Sequence, residues 1–443
     1  MIKNIYHSYL LYVTIITFLI IGQSIIGCGL FINSDSDFYS SITCNGYTLI
    51  SPRKDRPPFL VDMDGNIIHN YSIRGYPAKM LPNGTILGSR IVNDKLGYLG
   101  GGGTLFRYVS QENWDGDITW EFCNWCDNWA RQHHDFHRVK NPIYYSPNHV
   151  TKIEGNTLIL SRTKKINNYS ISWHAFQDGA IYEVDWNGNL TGFEWYASEH
   201  YDEIGFDKIS KFGIFLFPAL QGWLHLNTCL ELGENKWYSQ GYEEFNPNNI
   251  ITCSRHANFL AIINRTTGKI VWKVGPYYNK NSETKLGQII GPHHVHIIPE
   301  GLPGEGNILV FDNGGYGGYG LIGGLLGFPL RYLRSYSRVL EFNPITNDIV
   351  WEYISKEDNQ SRFFSTYMSS VQRLPNGNTL ITEGTSGRIF EVNSEKEILW
   401  EYFYKGEGEL IRDDWVYRAY RVPPEWVPGN PSNYPTWESL YEE

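Results

Sequence analysis

Residues 259–275 read FLAIINRTTGKIVWKVG, two apolar runs on either side of a polar turn at Thr267 and Gly268. This arrangement is typical of a β-hairpin, because alternating apolar residues form the strands and the polar turn reverses the chain. A related hairpin, usually with a tryptophan in its second strand, recurs five more times along the chain. The other copies are residues 59–71, 104–122, 180–196, 339–353 and 389–403.

Each of these hairpins is followed by a second one around turns such as LPNGTIL, KIEGNTLIL, LPGEGNILVF and RLPNGNTLI. Two hairpins make a four-stranded sheet, and six such sheets in series predict an all-β, six-bladed β-propeller. The last tryptophan hairpin is followed by WVYRAYRVP (415–423), with no further outer hairpin after it. We expect GYTLISP (46–52) to supply the missing strand, so that the two ends of the chain close the ring.

The composition agrees with one large all-β domain. The chain of 443 residues contains 31 Tyr, 22 Phe, 15 Trp and 44 Gly, which suits many short strands and turns. Its net charge of −10 excludes a broad basic surface for binding nucleic acid.

The N-terminal segment has the pattern of a targeting sequence. Lys3 precedes a long apolar run, and Cys28 follows residues that resemble a bacterial lipobox. We interpret residues 1–28 as a signal peptide or membrane anchor, 29–45 as a linker, 46–425 as the propeller and 426–443 as a tail. The body is then expected outside the cytosol: periplasmic, at the cell surface, or secreted if the segment is cleaved. Membrane contact would involve the N-terminal segment alone, and a homodimer is compatible with the sequence.

Five further cysteines would lie in an oxidising compartment. Two structural disulfides are expected there, Cys123 with Cys126 and Cys229 with Cys253.

Candidate site residues emerge from the repeat. Eight residues before the turn glycine of successive second hairpins stand Tyr76, His225, His293 and Ser369. In one blade about thirteen extra residues (HRVKNPIYYSPNH) intervene, and His134 falls in the same position once they are allowed for. Because equivalent positions of successive blades surround one axis, these side chains are expected to converge on the channel mouth. Convergent histidines at a concave opening predict a functional site.

A second recurring position carries Ser-Arg pairs that end in Arg90, Arg162 and Arg255. Such arginines either join neighbouring blades or line the site. For Arg90 and Arg162 both readings stay open, whereas Arg255 is favoured as functional because its blade also carries His225.

The segment GPHHVHIIPEG (291–301) contains three histidines, but alternation along a strand places His293 on one face and His294 and His296 on the other. This geometry disfavours metal ligation, so no metal is predicted. His294 and His296 are expected to flank the site or to hydrogen-bond neighbouring blades.

In order and content, the motifs QHHDF, GWLHLNT, CSRHANF, GPHHVHIIPEG, FDNGG and VYRAYRVP resemble those of the PAPS-independent arylsulfate sulfotransferases. The resemblance covers about residues 46–423. It implies a six-bladed propeller in which His293 is the nucleophile that becomes sulfated and Arg255 binds sulfuryl oxygens. It further implies that His134 and His225 contact the sulfuryl group and the leaving group, although His133 could replace His134.

Two departures accompany this resemblance. The family usually has Gln before the nucleophile and Asp after it, where this chain has Pro292 and His294. The loss of the Asp removes a partner that could orient the imidazole of His293.

The implied reaction moves a sulfuryl group from an aryl sulfate ester to a phenolic acceptor through a sulfohistidine, with ping-pong kinetics and without a cofactor. Protonated His225 or His134 would stabilise the departing aryl oxide. No nucleotide-binding motif such as GxxxxGK[ST] is present. The alternative is a non-catalytic propeller that binds a sulfated or phenolic ligand. A quinoprotein dehydrogenase is disfavoured because such propellers usually have eight blades.

Two segments are expected to shape the pocket. The glycine-rich segment 314–337 would cover the channel mouth and pack on aryl rings, and it could equally be a surface loop. The spacing of residues 199–223 allows a short amphipathic helix before His225.

Overall fold

The computed structural model describes most of the chain beyond residue 42. The described ranges are 43–53, 56–90, 108–123, 132–147, 149–219, 222–277, 284–315, 317–319, 334–355, 363–406 and 413–441. The predicted signal or anchor segment, with Cys28, lies outside them. Within these ranges no helix is both long and apolar enough to cross a membrane.

The described strands form six four-stranded antiparallel sheets, which confirms the six-bladed β-propeller. Blade 1 combines β24 (Val416–Val422) with β1 (Tyr47–Pro52), β2 (Phe59–Val61) and β3 (Ile67–Asn70). Blade 2 contains β4 (Ala78–Met80), β5 (Ile86–Arg90), β6 (Tyr108–Glu112) and β7 (Ile118–Phe122). Blade 3 contains β8 (Gln132–Arg138), β9 (Thr157–Ile166), β10 (Phe176–Val184) and β11 (Leu190–Tyr196).

The remaining blades repeat this order. Blade 4 contains β12 (Leu230–Glu231), β13 (Ile250–Ser254), β14 (Phe259–Ile263) and β15 (Ile270–Val274). Blade 5 contains β16 (His293–Ile297), β17 (Ile308–Asp312), β18 (Arg338–Phe342) and β19 (Ile349–Tyr353). Blade 6 contains β20 (Ser370–Arg373), β21 (Thr379–Glu383), β22 (Arg388–Val392) and β23 (Ile398–Phe403). Within each of blades 2 to 6 the inner pair of strands precedes the outer hairpin along the chain.

The ring closes as the sequence predicts, through pairing of the two ends of the chain. Strand β24 pairs antiparallel with β1, with Thr48 opposite Arg421 and Ile50 opposite Ala419. The C-terminal segment contributes one inner strand, and the N-terminal part contributes the other three. Blade 1 therefore has the same four strands as the other blades, with β24 as the innermost strand and β2 and β3 as the outer hairpin.

The recurring tryptophans join each blade to the next. The indole N–H of the fourth strand donates to a backbone carbonyl in the outer turn of the following blade. The pairs are Trp120 with Trp186, Trp195 with Gly268, Trp272 with Pro344, Trp351 with Ser394 and Trp400 with Met63. Between blades 1 and 2, His69 stacks on Trp114 instead, with ring centroids 3.8 Å apart.

The insertion after β8 crosses the channel at the end remote from the start of β8. Its Tyr144 is buried and donates a hydrogen bond of 2.7 Å to the carbonyl of Val371 in blade 6. The Tyr144 ring also contacts Tyr420 of blade 1, and the Ser146 hydroxyl donates to Glu300 beyond β16. One segment of blade 3 thus touches inner strands or loops of blades 1, 5 and 6 at this end of the channel.

Short helices precede the blade 4 inner strand, as the spacing of residues 199–223 predicts. They are α1 (Tyr201–Ile204) and α2 (Lys208–Leu216), and a third, α3 (Lys236–Ser239), follows β12. Asp207 caps α2, because its carboxylate accepts from the Ser210 N–H at 2.6 Å. Ile204 and Ile214 pack into an apolar cluster with Trp223, which holds the segment leading to His225.

The predicted disulfide between Cys229 and Cys253 is wrong, because both residues are free cysteines. Leu230 pairs with Ile251, so Cys229 stands opposite Thr252 and points to the other face of the sheet from Cys253. Cys229 accordingly packs in the cluster with Trp223, and Cys253 packs in the cluster on the opposite side. The predicted Cys123–Cys126 pair includes Cys126, which lies outside the described residues.

Candidate functional site

The slot that the repeat predicts lies at or near the start of the innermost strand of each blade. Going round the ring, it is occupied by Tyr76, His134, His225, His293, Ser369 and Tyr417. Ring centroids of Tyr76 and Tyr417 are 4.5 Å apart, those of Tyr417 and His134 are 6.0 Å apart, and those of His134 and His225 are 4.7 Å apart. Tyr76, Tyr417, His134 and His225, from four successive blades, therefore meet around the channel axis.

His134 and His225 are in direct contact. The Nε2 atoms of the two rings are 3.2 Å apart, and both residues are buried. Both have left-handed backbones, with φ of 60° and 51°. This conformation costs a residue with a side chain about 1–2 kcal/mol and is often found at functional sites.

Two histidines that the repeat does not assign extend this pair. His133 Nδ1 lies 2.6 Å from His134 Nδ1, so His133 stands behind His134 and does not replace it. His256 lies beside His225, with ring centroids 4.5 Å apart, and its Nδ1 lies 3.1 Å from the Gly222 carbonyl oxygen. The only sequence signal for either residue is its position next to a candidate, in QHHDF and in CSRHANF.

His293 begins β16, and its proton arrangement follows from its neighbours. Its Nδ1 lies 2.7 Å from the side-chain oxygen of Asn313 and 3.0 Å from the carbonyl oxygen of Gly291. Both oxygens can only accept, so Nδ1 carries the ring proton and Nε2 carries the lone pair. The Met368 N–H approaches that lone pair at 3.3 Å. Asn313, from the FDNGG motif, therefore orients the imidazole without the acidic residue that His294 replaces.

The alternation predicted for His293, His294 and His296 is interrupted, because the register shifts between His293, opposite Phe311, and His296, opposite Leu309, and His294 has a left-handed backbone with φ of 55°. His294 Nδ1 accepts from the Val371 N–H at 3.3 Å, and its Nε2 lies 3.0 Å from the Tyr144 hydroxyl. His296 packs edge-on against the Tyr144 ring. They hydrogen-bond neighbouring blades and the inserted segment. Among the described residues no three His, Cys, Asp or Glu side chains are grouped to hold a metal ion.

The three strand-end arginines have different environments. Arg90 pairs with Glu121 of its own blade and donates to the Ser110 hydroxyl, so it is structural. Arg162 is buried, and its Nη2 lies 3.4 Å from His225 Nδ1. Arg255 lies over the ring of Tyr367, with its guanidinium carbon 5.1 Å from the centroid.

Neither Arg162 nor Arg255 has a carboxylate partner among the described residues, and the Nε of each is buried without a hydrogen bond there. Burial lowers the pKa of Arg162 to about 9 and that of Arg255 to about 10, so both keep their charge at pH 7. Unpaired buried guanidiniums are costly to maintain and favour an anion at this position.

Below the histidines lies an ion cluster that is fully paired. The buried Asp135 accepts from Lys79 at 2.9 Å and from Arg418 at 3.0 Å, and it also accepts from the Cys229 N–H. Arg418 donates in addition to the Asn227 carbonyl at 2.9 Å. This cluster joins blades 1, 2, 3 and 4 beneath the site.

Aromatic side chains border the histidines. Tyr76, Met368 and Tyr417 form an apolar cluster against which Tyr367 and Trp415 pack. The segment 314–337 lies largely outside the described residues. Its Tyr319 hydroxyl donates to the Trp223 carbonyl, and the Gly318 N–H donates to the His256 carbonyl at 2.9 Å.

Burial at the channel mouth favours neutral histidines. Burial lowers the pKa of His134 and His225 well below the ordinary value, and neighbouring histidines and Arg162 add to this effect. Burial also lowers the pKa of His293 to about 3, helped by the charge of Arg255. The neutral N–H groups of His225 and His134 are therefore the donors that this arrangement offers, and their protonation during the reaction stays a prediction.

The fold and site define a six-bladed propeller whose channel mouth carries histidines of three blades, two arginines with no carboxylate partner in the described part of the chain, and an aromatic border. The chain belongs to the arylsulfotransferase (ASST) family, whose family model matches residues 113–405. A search of curated proteins finds no relative of this chain.

Several solved structures are similar in outline. A protein of unknown function from Bacteroides caccae is 12% identical, with 85% of this chain and 98% of that chain covered and a TM-score of 0.46. A streptogramin B lyase is 12% identical, with 84% and 87% covered and a TM-score of 0.38. A virginiamycin B lyase from Staphylococcus aureus is 11% identical, with 83% and 85% covered and a TM-score of 0.35.

Proposed function

We propose that this protein transfers a sulfuryl group from an aryl sulfate ester to a phenolic acceptor through a sulfohistidine at His293. The observation that carries the proposal is the fixed tautomer of His293, whose Nδ1 proton is held by Asn313 at 2.7 Å. The lone pair on Nε2 is then the nucleophile, and the low pKa keeps it unprotonated at neutral pH. Membership of the arylsulfotransferase family supports the same reaction class.

In the first half-reaction, Nε2 of His293 attacks sulfur in line with the bond to the aryl oxygen. The N–S bond forms as the S–O bond breaks, and the electron pair of that bond leaves with the aryl oxide. The product is an imidazolium that carries a sulfonate group, with the proton still on Nδ1 beside Asn313. Arg255, as a charged and unpaired fork of donors, binds the sulfuryl oxygens.

The second half-reaction reverses these bonds. The oxygen of the acceptor phenol attacks sulfur, its proton passes to a neutral imidazole of the site, and His293 is restored. The sum is aryl sulfate plus phenol giving aryl oxide, the new aryl sulfate and one proton, without a cofactor. His134 and His225 serve as the contacts to the sulfuryl group, the leaving oxygen and the acceptor.

The aromatic border supports aryl substrates. Tyr367 and Trp415 pack edge to face with ring centroids 5.2 Å apart, beside the Tyr76–Tyr417 pair. Rings arranged in this way offer faces and edges to a substrate ring. We further propose that the protein acts outside the cytosol, reached through its N-terminal targeting segment.

The test is incubation with 4-nitrophenyl sulfate with and without phenol, followed by trapping of ³⁵S from a labelled donor. We expect phenol-dependent release of nitrophenol and label on the peptide that contains His293. His293→Ala should abolish both, and Arg255→Met should lower kcat/KM about 10- to 100-fold, the value of one charged hydrogen-bonded contact. His296→Phe, three residues along the same strand but outside the mouth, is the matched control and should retain turnover.

Full turnover in His293→Ala would show that the nucleophile is misassigned. Nitrophenol release at the same rate with and without phenol would indicate a sulfatase. Ligand binding without any release would favour the non-catalytic propeller.

A further inference from the structure

Arg162 contacts one of the central histidines in a way that limits its proton positions. The Nη2 atom of Arg162 lies 3.4 Å from His225 Nδ1, inside a buried environment. A guanidinium has hydrogen-bond donors and no acceptor, so a proton on His225 Nδ1 would face the N–H of Arg162. His225 therefore carries its proton on Nε2 and leaves Nδ1 to accept.

The proton position on His225 determines the proton position on the next histidine, His134, which contacts His133 in turn. The Nε2–H of His225 points at His134 Nε2, 3.2 Å away, which must accept. His134 then carries its proton on Nδ1 and donates it to His133 Nδ1 at 2.6 Å. If each histidine carried its proton on the other ring nitrogen, one proton would lie between Arg162 and His225 Nδ1. Arg162 therefore determines which nitrogen of each histidine in the row is protonated.

The two imidazoles at the mouth consequently differ. His225 presents a donor and His134 presents a lone pair to the same space. Once the direct 3.2 Å contact between the two rings opens, a phenolic hydroxyl that enters between them can accept from His225 and donate to His134, while the aryl oxygen of a sulfate ester can only accept. The two halves of the proposed transfer thus need different members of the pair.

We propose that Arg162 is a positioning residue that sets this row, so that His225 donates to the departing aryl oxygen and His134 takes the proton of the acceptor phenol. The assignment of roles rests on the proposed function, whereas the direction of the row does not. When the acceptor oxygen bonds to sulfur, its O–H electron pair stays on oxygen and the proton moves to His134 Nε2. The resulting imidazolium releases a proton to solvent, which completes the balance given above.

Gly222 makes room for this arginine. Its backbone φ is +83°, and a Cβ atom there would lie 3.1 Å from Arg162 Nε. A Cβ atom at residue 222 would therefore push the Arg162 side chain by a few tenths of an ångström while leaving Arg162 in the sequence. The neighbouring blade offers a matched control, since Arg90 occupies the corresponding strand end and pairs with Glu121 instead.

The first measurement is the ring ¹⁵N spectrum of histidine-labelled, ligand-free protein, with His225 identified by the signals lost in His225→Gln. We expect a protonated Nε2 and an unprotonated Nδ1 at His225 in the parent, in Arg162→Lys and in Arg90→Met. In Arg162→Met and Gly222→Ala we expect these shifts to move toward a mixture of the two tautomers.

The second measurement compares donors whose phenols leave easily or poorly. In Arg162→Met, turnover of 4-methylphenyl sulfate should fall about 100-fold, while that of 4-nitrophenyl sulfate should fall less than about 10-fold, because only the poor leaving group needs the donor. Arg162→Lys, which keeps a donor, should recover most of the difference. Arg90→Met should leave the ratio of the turnover rates of the two donors unchanged.

An unchanged His225 tautomer in both Arg162→Met and Gly222→Ala would overturn the positioning role, and so would an equal loss for both donors. A tautomer change in a protein that transfers no sulfuryl group would support the positioning role and would contradict the proposed function. The two ideas can therefore fail separately.

Discussion

The side-chain oxygen of Asn313 lies 2.7 Å from Nδ1 of His293, across the paired strands β16 and β17. The amide nitrogen of Asn313 donates to the carbonyls of Ser365 and Met368, which prevents the amide from turning round. The acceptor oxygen is thus held toward the imidazole by the backbone of the next blade. The orientation of His293 therefore depends on the next blade, through Asn313, as well as on the carbonyl of Gly291 nearby in the chain.

Removal of this acceptor should impair transfer. In Asn313→Ala the buried Nδ1–H keeps only the Gly291 carbonyl at 3.0 Å. We expect kcat with 4-nitrophenyl sulfate to fall about 10- to 100-fold, which corresponds to about 1–3 kcal/mol for a lost buried hydrogen bond. Asn313→Asp, which keeps an acceptor, should lose less. Asn307→Ala, on the same blade but at its turn, is the control, and an equal loss there would contradict the assignment.

Stability should decrease as the pH falls from about 6.5 toward 3. Burial lowers the pKa of His137, His293 and His296 to about 3, below the value near 6.5 in the unfolded chain. The unfolded chain therefore binds protons first, and each histidine removes up to about 1.4 kcal/mol per pH unit within this window but nothing above it. Glu231 and Glu383, whose pKa burial raises, act in the opposite direction.

The comparison of His296→Phe with the parent isolates one histidine. Chemical denaturation at pH 7, 6, 5 and 4 should give a shallower loss of unfolding free energy for the variant, by up to about 1.4 kcal/mol per unit. Parallel curves for the two proteins would show that His296 is not held neutral in the fold.

Tyr144 should contribute to stability and not to substrate affinity. Tyr144→Phe leaves the Val371 carbonyl without its donor and should cost about 1–3 kcal/mol. Tyr144→Ala also empties space packed against Tyr420 and should cost about 3–5 kcal/mol. Urea denaturation measures both, and Tyr169→Phe, at a tyrosine that is 69% exposed, should be neutral. A large rise in KM without loss of stability would contradict this role.

Cys229 and Cys253 should remain thiols even after oxidative expression. Their side chains lie on opposite faces of the same sheet, and Cys253 Sγ lies 2.8 Å from the Asn227 side-chain oxygen. Alkylation of the denatured, unreduced protein followed by peptide mass spectrometry should label both residues. A disulfide-linked peptide pair containing them would refute the strand register described here.

Much of the fold can be predicted from the sequence, because each repeat forms one blade and successive blades are arranged around one axis. Counting from the turn glycines therefore places His134, His225 and His293 in equivalent positions without knowledge of any contact. The same reasoning could not separate Arg90 from Arg162, since each ends a similar strand. The difference depends on Glu121, which reaches Arg90 from two strands away within blade 2.

Features that depend on a path between blades are less accessible to sequence reasoning. The amide of Asn313 is held by Ser365 and Met368 of the next blade, and the row from Arg162 to His133 passes through His225 of the next blade. The Cys229–Cys253 prediction failed for a related reason, since neighbouring strands bring the residues close but alternation turns them apart. Proximity alone does not determine which face a side chain uses.

The segment around Tyr144 affects how substrates enter the site and how products leave it. Because this segment crosses one end of the channel, we expect substrates and products to enter and leave at the histidine end. On the proposed reaction the phenol of the donor must depart by the way it arrived, and until it does it competes with the incoming acceptor for the same space. The donor's phenol and the acceptor phenol must therefore occupy the site one after the other. An excess of the donor's phenol should slow the second half-reaction.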